Sequence, residues 1–366
     1  MSIEKFLTPQ DFLYLKKITN NPPKNWFENI YIYITEKCQL HCKHCYLGKR
    51  LNRGLVMSKE EVFDNLSFWK KIGGKKLCFL GGEPTLHPDF EKVVKHANDL
   101  KYEKVIMDSN GQKVSLEKLS NLSYSDFSYI QISLDGGSSS TNDITRGKNT
   151  FNIALNSIKE LRKKNFDIRI ICTVNRFNIK DCLNLLPLAD SLGVSLIKYH
   201  IFSGIGIGKD NNNLLINPKE WIDFTNLLLE QKGKYKTKIQ YQAAYGDENT
   251  KSLLFGQKYT GCLGRKLDRM SIFADKKVYV CSYLFDTSLN FAEVDLKNNK
   301  LVINKKRNSE INLFFSKLEK CQRCNFNNVC ANGCVAEKIV NNFYPCSKYR
   351  NIYPMRSFQN TDFVLE

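Results

Sequence analysis

The chain has 366 residues, 42% of them hydrophobic and 25% charged, which is enough for one large catalytic domain with a smaller appendix and too much for a minimal module. Its formal net charge of +18 suits an acidic partner, but the lysines are scattered and no zinc-finger or RNA-binding aromatic signature accompanies them, which argues against nucleic acid. No run approaches the roughly 18 uninterrupted apolar residues of a membrane-spanning helix, and MSIEKFLTPQDFLYLKK has no secretory pattern, so a soluble cytoplasmic chain with no membrane partner is expected.

Residues 1–28 read as an N-terminal extension. From 29 to 231 short β-rich runs alternate with helix-like segments. NIYIYIT, KKLCFLG, KVIMDS, YIQISLD, IRIICTV and SLIKYHIF are the strand candidates. Helices are predicted over 58–72, 88–100, 114–121, 151–164, 179–192 and 218–231, with apolar residues near helical spacing, as in Ile153, Leu155, Ile158 and Leu161. Ser58 followed by Glu61 is a capping box for the first of them. Six such units predict an α/β fold: a partial (β/α)6 TIM-like barrel with functional residues at the strand C-termini. The Gly/Asn-rich run SGIGIGKDNNN (203–213) reads as a mobile loop near that face. Residues 232–255 are polar and read as a linker; 256–366, where periodicity fades, form a small Cys-rich C-terminal domain.

Thirteen cysteines without an export signal point to metal binding rather than disulfides. Cys78, Cys172 and Cys182 stand in apolar surroundings and read as buried core thiols. The other ten fall in two clusters, 38–45 and 262–346. Cys38, Cys42 and Cys45 form C-x3-C-x2-C directly after the first strand, three thiolates on one loop at the barrel mouth. Three ligands suit a four-iron cluster; tetrahedral zinc would want a fourth, which His41 or His44 could supply.

ITEKCQLHCKHCY resembles the cluster loop of the radical S-adenosylmethionine (radical SAM) superfamily, and GGEPTLHP (81–88) after the second strand resembles its SAM-binding motif. DSNG (108–111), ISLDG (132–136) and TRGKNTF (145–151) extend the resemblance over about residues 28–215. It implies an enzyme in which Cys38, Cys42 and Cys45 hold a catalytic 4Fe-4S cluster whose open iron is chelated by SAM. The SAM-contacting positions would be Gly81, Gly82, Glu83, Pro84, Ser109, Asn110, Ser133 and Arg146, with Arg146 as carboxylate partner. Such a cluster cleaves SAM to methionine and a 5′-deoxyadenosyl radical that abstracts hydrogen from substrate.

The later cysteines, Cys262, Cys281, Cys321, Cys324, Cys330, Cys334 and Cys346, resemble the SPASM domain of radical SAM enzymes that mature peptides and proteins; a zinc ribbon is the alternative. The resemblance implies two auxiliary 4Fe-4S clusters, one on Cys321, Cys324, Cys330 and Cys346, the other on Cys262, Cys281 and Cys334. Gly256 stands where some relatives place a further cysteine, Lys276 where the pattern has glycine, and Ser282 where sulfatase-maturing relatives carry aspartate. The leading expectation is an oxidoreductase that makes a thioether or carbon–carbon crosslink in a ribosomal precursor peptide. Small-molecule dehydrogenation, for example of an amino sugar alcohol, and peptide epimerisation are the alternatives. A flavodoxin or ferredoxin would be the reductant. With about 30 residues before the cluster loop, a separate leader-recognition protein or the barrel surface would dock the precursor. No catalytic acid or base is assigned; Tyr245, Asp247 and Glu248 read as a solvated loop.

Overall fold

The computed structural model describes residues 3–19, 23–242, 244–247, 264, 266–285, 287 and 289–306, with short pieces at 336, 353–354 and 363–365. All six predicted strands form: β1 (Asn29–Thr35), β2 (Lys76–Gly81), β3 (Lys104–Ser109), β4 (Tyr129–Ser133), β5 (Ile168–Val174) and β6 (Leu196–Ile201). They pair in parallel in chain order, as crossover helices require. β7 (Lys238–Tyr241) continues the parallel run beside β6. Beyond it lie β8 (Tyr245–Gly246), β9 (Arg269–Phe273), β10 (Lys277–Tyr279), β11 (Ala292–Asp295), β12 (Lys300–Ile303), β13 (Tyr353–Pro354) and β14 (Phe363–Leu365).

β9 returns to the first strand and pairs in parallel with β1, Asn29 opposite Arg269 and Tyr33 opposite Phe273. The sheet therefore runs β12-β11-β10-β9-β1-β2-β3-β4-β5-β6-β7-β14, and β8 pairs with β13 apart from it. The parallel core is a partial TIM-like barrel of α/β class, widened by one parallel strand at each edge.

The helices are α1 (Pro9–Ile18), α2 (Arg50–Arg53), α3 (Lys59–Ile72), α4 (Phe90–Asp99), α5 (Lys113–Ser120), α6 (Ser139–Arg146), α7 (Thr150–Lys163), α8 (Leu185–Ser191) and α9 (Pro218–Glu230). α3 opens on the predicted box, with the Glu61 N–H donating to Ser58 Oγ at 3.1 Å and the Ser58 N–H to Glu61 Oε2 at 2.9 Å. α8 starts later than the spacing predicts, after a 3-10 turn at Asp181–Leu183. Pro187 explains it, since proline is tolerated in a first turn but would break a helix begun at 179. Along β5, Ile168, Ile170, Cys172 and Val174 are buried and alternate with half-buried Arg169, Ile171 and Thr173, which line the barrel interior. Trp26, Trp69 and Trp221 are buried outright. Cys78, Cys172 and Cys182 are buried as expected, and the last two lie 3.5 Å apart, Sγ to Sγ. No helix among the described residues is long and apolar enough to cross a membrane.

Run 203–213 lies against the C-terminal face of the barrel, where its reading as a loop put it. It folds into 3-10 turns at Gly206–Asp210 and Asn212–Leu214. The Ile207 N–H donates to Cys45 O at 2.9 Å, and a Cβ at Gly206, which has φ +60°, would sit 2.6 Å from that oxygen. Glycine permits that approach, and the segment is packed onto the three-cysteine loop.

Candidate active site

β1 ends at Thr35, and the segment after it carries Cys38, Cys42 and Cys45 over the C-terminal mouth of the barrel. Its backbone is anchored from several directions. The Gly82 N–H donates to Thr35 O at 2.9 Å, the Glu83 N–H to Lys37 O at 2.8 Å, and the Lys43 N–H to Thr145 O at 2.9 Å. A Cβ at Gly81 would lie 2.4 Å from Thr35 O; one at Gly82 would lie 2.4 Å from Lys37 O and 2.8 Å from Cys38 Cβ. The two glycines thus let two loops touch backbone to backbone.

Glu83 is buried, with both oxygens engaged. Oε1 accepts from Thr85 Oγ1 at 2.7 Å and Ser109 Oγ at 3.1 Å, and Oε2 accepts from the Asn110 N–H at 2.7 Å. Burial raises its pKa, against the pull of these donors. Pro84 opens the 3-10 turn that follows. The motif after β2 and the motif after β3 are thereby fixed as one unit. Asn110 Nδ2 then reaches Cys38 Sγ at 3.7 Å, and Gln39 pairs with the same amide at 3.2 Å. Gln39 carried no signal in the sequence.

Arg146 closes the other side. Its Nη2 donates to Asp135 Oδ1 at 3.0 Å, its Nε lies 2.7 Å from Oδ2, and the Thr173 N–H also donates to Asp135. Sequence reasoning took Arg146 as the partner of SAM's carboxylate and left Asp135 unassigned inside ISLDG. In the structure the guanidinium is paired with that aspartate and faces the Cys42 thiol, which it pulls down in pKa while burial pushes it up. His44 Nε2 lies 3.5 Å from the same carboxylate, and burial lowers its pKa to about 4.

The three thiols line one cavity of about 450 Å³, together with Gly81, Gly82, Glu83, Ser109, Asn110, Ser133 and Arg146. These are all the SAM-contact positions expected from the sequence except Pro84. Burial pushes Cys38 up to about 11 and Cys45 up to about 12, so without a cation both stay protonated at neutral pH. The Leu40 N–H, 3.4 Å from Cys38 Sγ, is a donor of the kind that stabilises a metal-bound thiolate. Half-buried thiols beside such donors fit an iron–sulfur cluster, whose iron supplies the missing positive charge. Cys281 is half-buried at the end of β10. Cys262, Cys321, Cys324, Cys330, Cys334 and Cys346 lie outside the described residues.

Three cysteines on a loop after the first barrel strand, braced by a Gly-Gly-Glu turn after the second, define a radical SAM type of active site. Residues 32–188 match the model of the Radical SAM superfamily. These residues form a radical SAM domain, and the chain is an enzyme of radical SAM type, a class that uses SAM and a 4Fe-4S cluster. It is 25% identical over 325 residues to the AdoMet-dependent heme synthase of Methanosarcina barkeri, covering 83% of this chain and 89% of that protein. It is 33% identical over 171 residues to the mycofactocin maturase MftC of Mycolicibacterium smegmatis, covering 44% of this chain and 42% of that one. The chain thus aligns with less than half of the maturase's length. Among solved structures it shares its fold with Streptococcus suis SuiB bound to S-adenosylmethionine, at TM-score 0.68, 18% identity and 90% and 77% coverage. SuiB has also been solved bound to its precursor peptide SuiA. Native anSMEcpe with bound AdoMet follows at TM-score 0.61, 16% identity and 83% and 88% coverage.

Proposed function

We propose that the chain uses one catalytic 4Fe-4S cluster on Cys38, Cys42 and Cys45 to oxidise a ribosomally made precursor peptide, forming a crosslink such as a thioether or carbon–carbon bond. The observation that carries this reading is the three-thiol loop locked onto Gly82 and Asn110 at the rim of a cavity that continues down the barrel. When bound, the cluster supplies the electron that cleaves SAM to methionine and a 5′-deoxyadenosyl radical.

The chain's own residues bind, orient and shield. Gly81 and Gly82 hold the turn tight against the cysteine loop beside the expected methionine end of SAM, and Ser133 offers a hydroxyl at the same rim. Glu83 and Ser109 act through position, fixing the turn that carries Asn110. Arg146 and Asp135 form a neutral pair beside Cys42. Leu80, Ile106 and Ile171 give the cavity apolar walls where a substrate C–H bond can be presented away from bulk water.

Two auxiliary clusters are assigned to the later cysteines, one on Cys262, Cys281 and Cys334 and the other on Cys321, Cys324, Cys330 and Cys346. They would take the electron that a substrate radical gives up. The local similarity to MftC and the shared fold with peptide-bound SuiB support a peptide substrate. A flavodoxin or ferredoxin would supply the first electron. The longer alignment with a heme synthase supports a second reading, oxidation of a small molecule.

Anaerobically purified protein given dithionite and SAM tests the proposal. Three clusters correspond to about twelve irons per chain, with about four lost, and 5′-deoxyadenosine formation abolished, in Cys38→Ala/Cys42→Ala/Cys45→Ala protein. Co-expression with a precursor peptide should remove two hydrogens per crosslink. Wild type that forms no 5′-deoxyadenosine overturns the assignment.

A further inference from the structure

Below the cluster loop the cavity is lined by charge. Lys198 and His200 alternate along β6, Arg269 opens β9, and Asp108 and Gln131 come from β3 and β4. β6 and β9 lie far apart in the sheet order, yet all of these line one cavity; burial lowers the pKa of His200 and raises that of Asp108, and the charges of Lys198 and Arg269 pull both downward. Arg269 is 6% exposed. Its guanidinium stacks on the Tyr31 ring at 4.1 Å, which covers one face, and its Nε is buried with no hydrogen-bond partner among the described residues. His200 Nε2 is likewise buried without a partner.

The carboxylate of Asp108 is held by neutral partners. It accepts from Gln131 Nε2 and from Cys78 Sγ, the latter at 3.9 Å, and no ion pair joins it to Arg269 among the described residues. Arg269 therefore sits in a space of low dielectric with no ion pair among the described residues, whereas half-buried Arg169 at the same wall lies 3.5 Å from Asp167. A buried guanidinium left with free donors is costly unless something anionic arrives. Its planar fork matches a carboxylate, which it can hold through paired hydrogen bonds.

We infer that Arg269, with Lys198 and His200, forms a subsite inside the barrel that binds a carboxylate of the substrate. This rests on the proposed function, in which the cavity holds the substrate beneath the cluster. The carboxylate belongs either to an acidic side chain of a peptide or to a small molecule, and the subsite sets the distance between that group and the oxidised C–H bond.

The test is calorimetric binding to cluster-loaded full-length protein at fixed salt. Succinate is compared with succinamide, and an acetylated, amidated peptide containing glutamate with its glutamine counterpart. Acid is expected to bind over amide in at least one pair; preference in the peptide pair alone assigns a peptide source, and preference in the succinate pair assigns a small molecule. Arg269→Gln should weaken acid binding about tenfold or more, with Lys198→Gln as the second variant should the first not fold. Equal binding of acid and amide in both pairs, or wild-type affinity in a folded variant, overturns the subsite. Formation of 5′-deoxyadenosine by wild type is read separately. Its absence beside selective acid binding sinks the catalytic reading and leaves the subsite standing.

Discussion

The contact between Gly82 and the three-cysteine loop gives a sharp test of the site. In Gly82→Ala the added Cβ would sit 2.4 Å from Lys37 O and 2.8 Å from Cys38 Cβ, so the loop must retreat by about 1 Å to reach ordinary contact. It cannot do so freely, because the Glu83 N–H holds that same oxygen at 2.8 Å. Overpacking of this kind costs about 1–3 kcal/mol. The larger effect falls on chemistry, since a displacement of about 1 Å at a reacting centre can cost about 100-fold in rate. The assay is 5′-deoxyadenosine formation and iron content after anaerobic reconstitution, beside a thermal melt. Gly54→Ala is the control: Gly54 has φ +61° and nothing within 4 Å of an added Cβ, so it adds strain of about 1–2 kcal/mol without touching the loop. Gly82→Ala should lose activity far beyond its loss of stability, and Gly54→Ala should lose stability alone. A Gly82→Ala protein with wild-type iron content and a cleavage rate within about twofold of wild type would refute the reasoning.

Three further outcomes are expected. Arg50 is buried, donates to Phe285 O at 2.7 Å, Tyr279 Oη at 2.9 Å, Asp275 at 3.1 Å and Glu36 at 3.2 Å, and stacks on Phe273 at 4.2 Å. Arg50→Met should destabilise by about 3–5 kcal/mol in anaerobic denaturant unfolding, lessened because Arg53 also holds Glu36. Burial raises the pKa of Asp108 from 3.8 to about 6, so the folded state binds a proton more tightly than the unfolded chain. That contribution is present below pH 4 and lost as pH rises through about 6; Asp108→Asn should flatten the slope and gain at most about 3 kcal/mol at pH 8, read from unfolding at each pH. Lys276 sits in the turn between β9 and β10 at φ +66°, where the related pattern has glycine, so Lys276→Gly should stabilise by about 1 kcal/mol in the same assay.

The barrel strands were legible because strands covered on both faces read as short apolar runs between turn residues. α6 was not, since SSTNDITR offers no apolar stripe; its place is held by polar contacts, such as Asn142 Oδ1 accepting from the Asp135 N–H at 2.9 Å. α1 carried a signal that went unused, Thr8 as N-cap before Pro9. β9 is apolar enough to be a strand, but nothing local says that it returns more than two hundred residues to pair with β1. The same gap hid the basic interior. Lys198 and His200 stood visible in SLIKYHIF, whereas Arg269 becomes their neighbour only through that long-range pairing. Of the positions expected to contact SAM, Gly81 and Gly82 stand where two loops approach too closely for a side chain. Arg146 was readable as a charge; its partner Asp135 was not.

The contacts on the cysteine loop come from five separate parts of the chain: Gly82 after β2, Asn110 after β3, Thr145 in α6, Ile207 after β6 and, through Arg50, the β9–β10 segment. The first four are backbone or amide contacts and the fifth is a buried guanidinium, so the positions of Cys38, Cys42 and Cys45 are set by the folded barrel rather than by the loop's own sequence. A centre built this way is preorganised, and its precision depends on the sheet having closed first. Substitutions in the β9–β10 segment should therefore disturb the cysteine loop through Arg50, beside the direct pairing of β9 with β1.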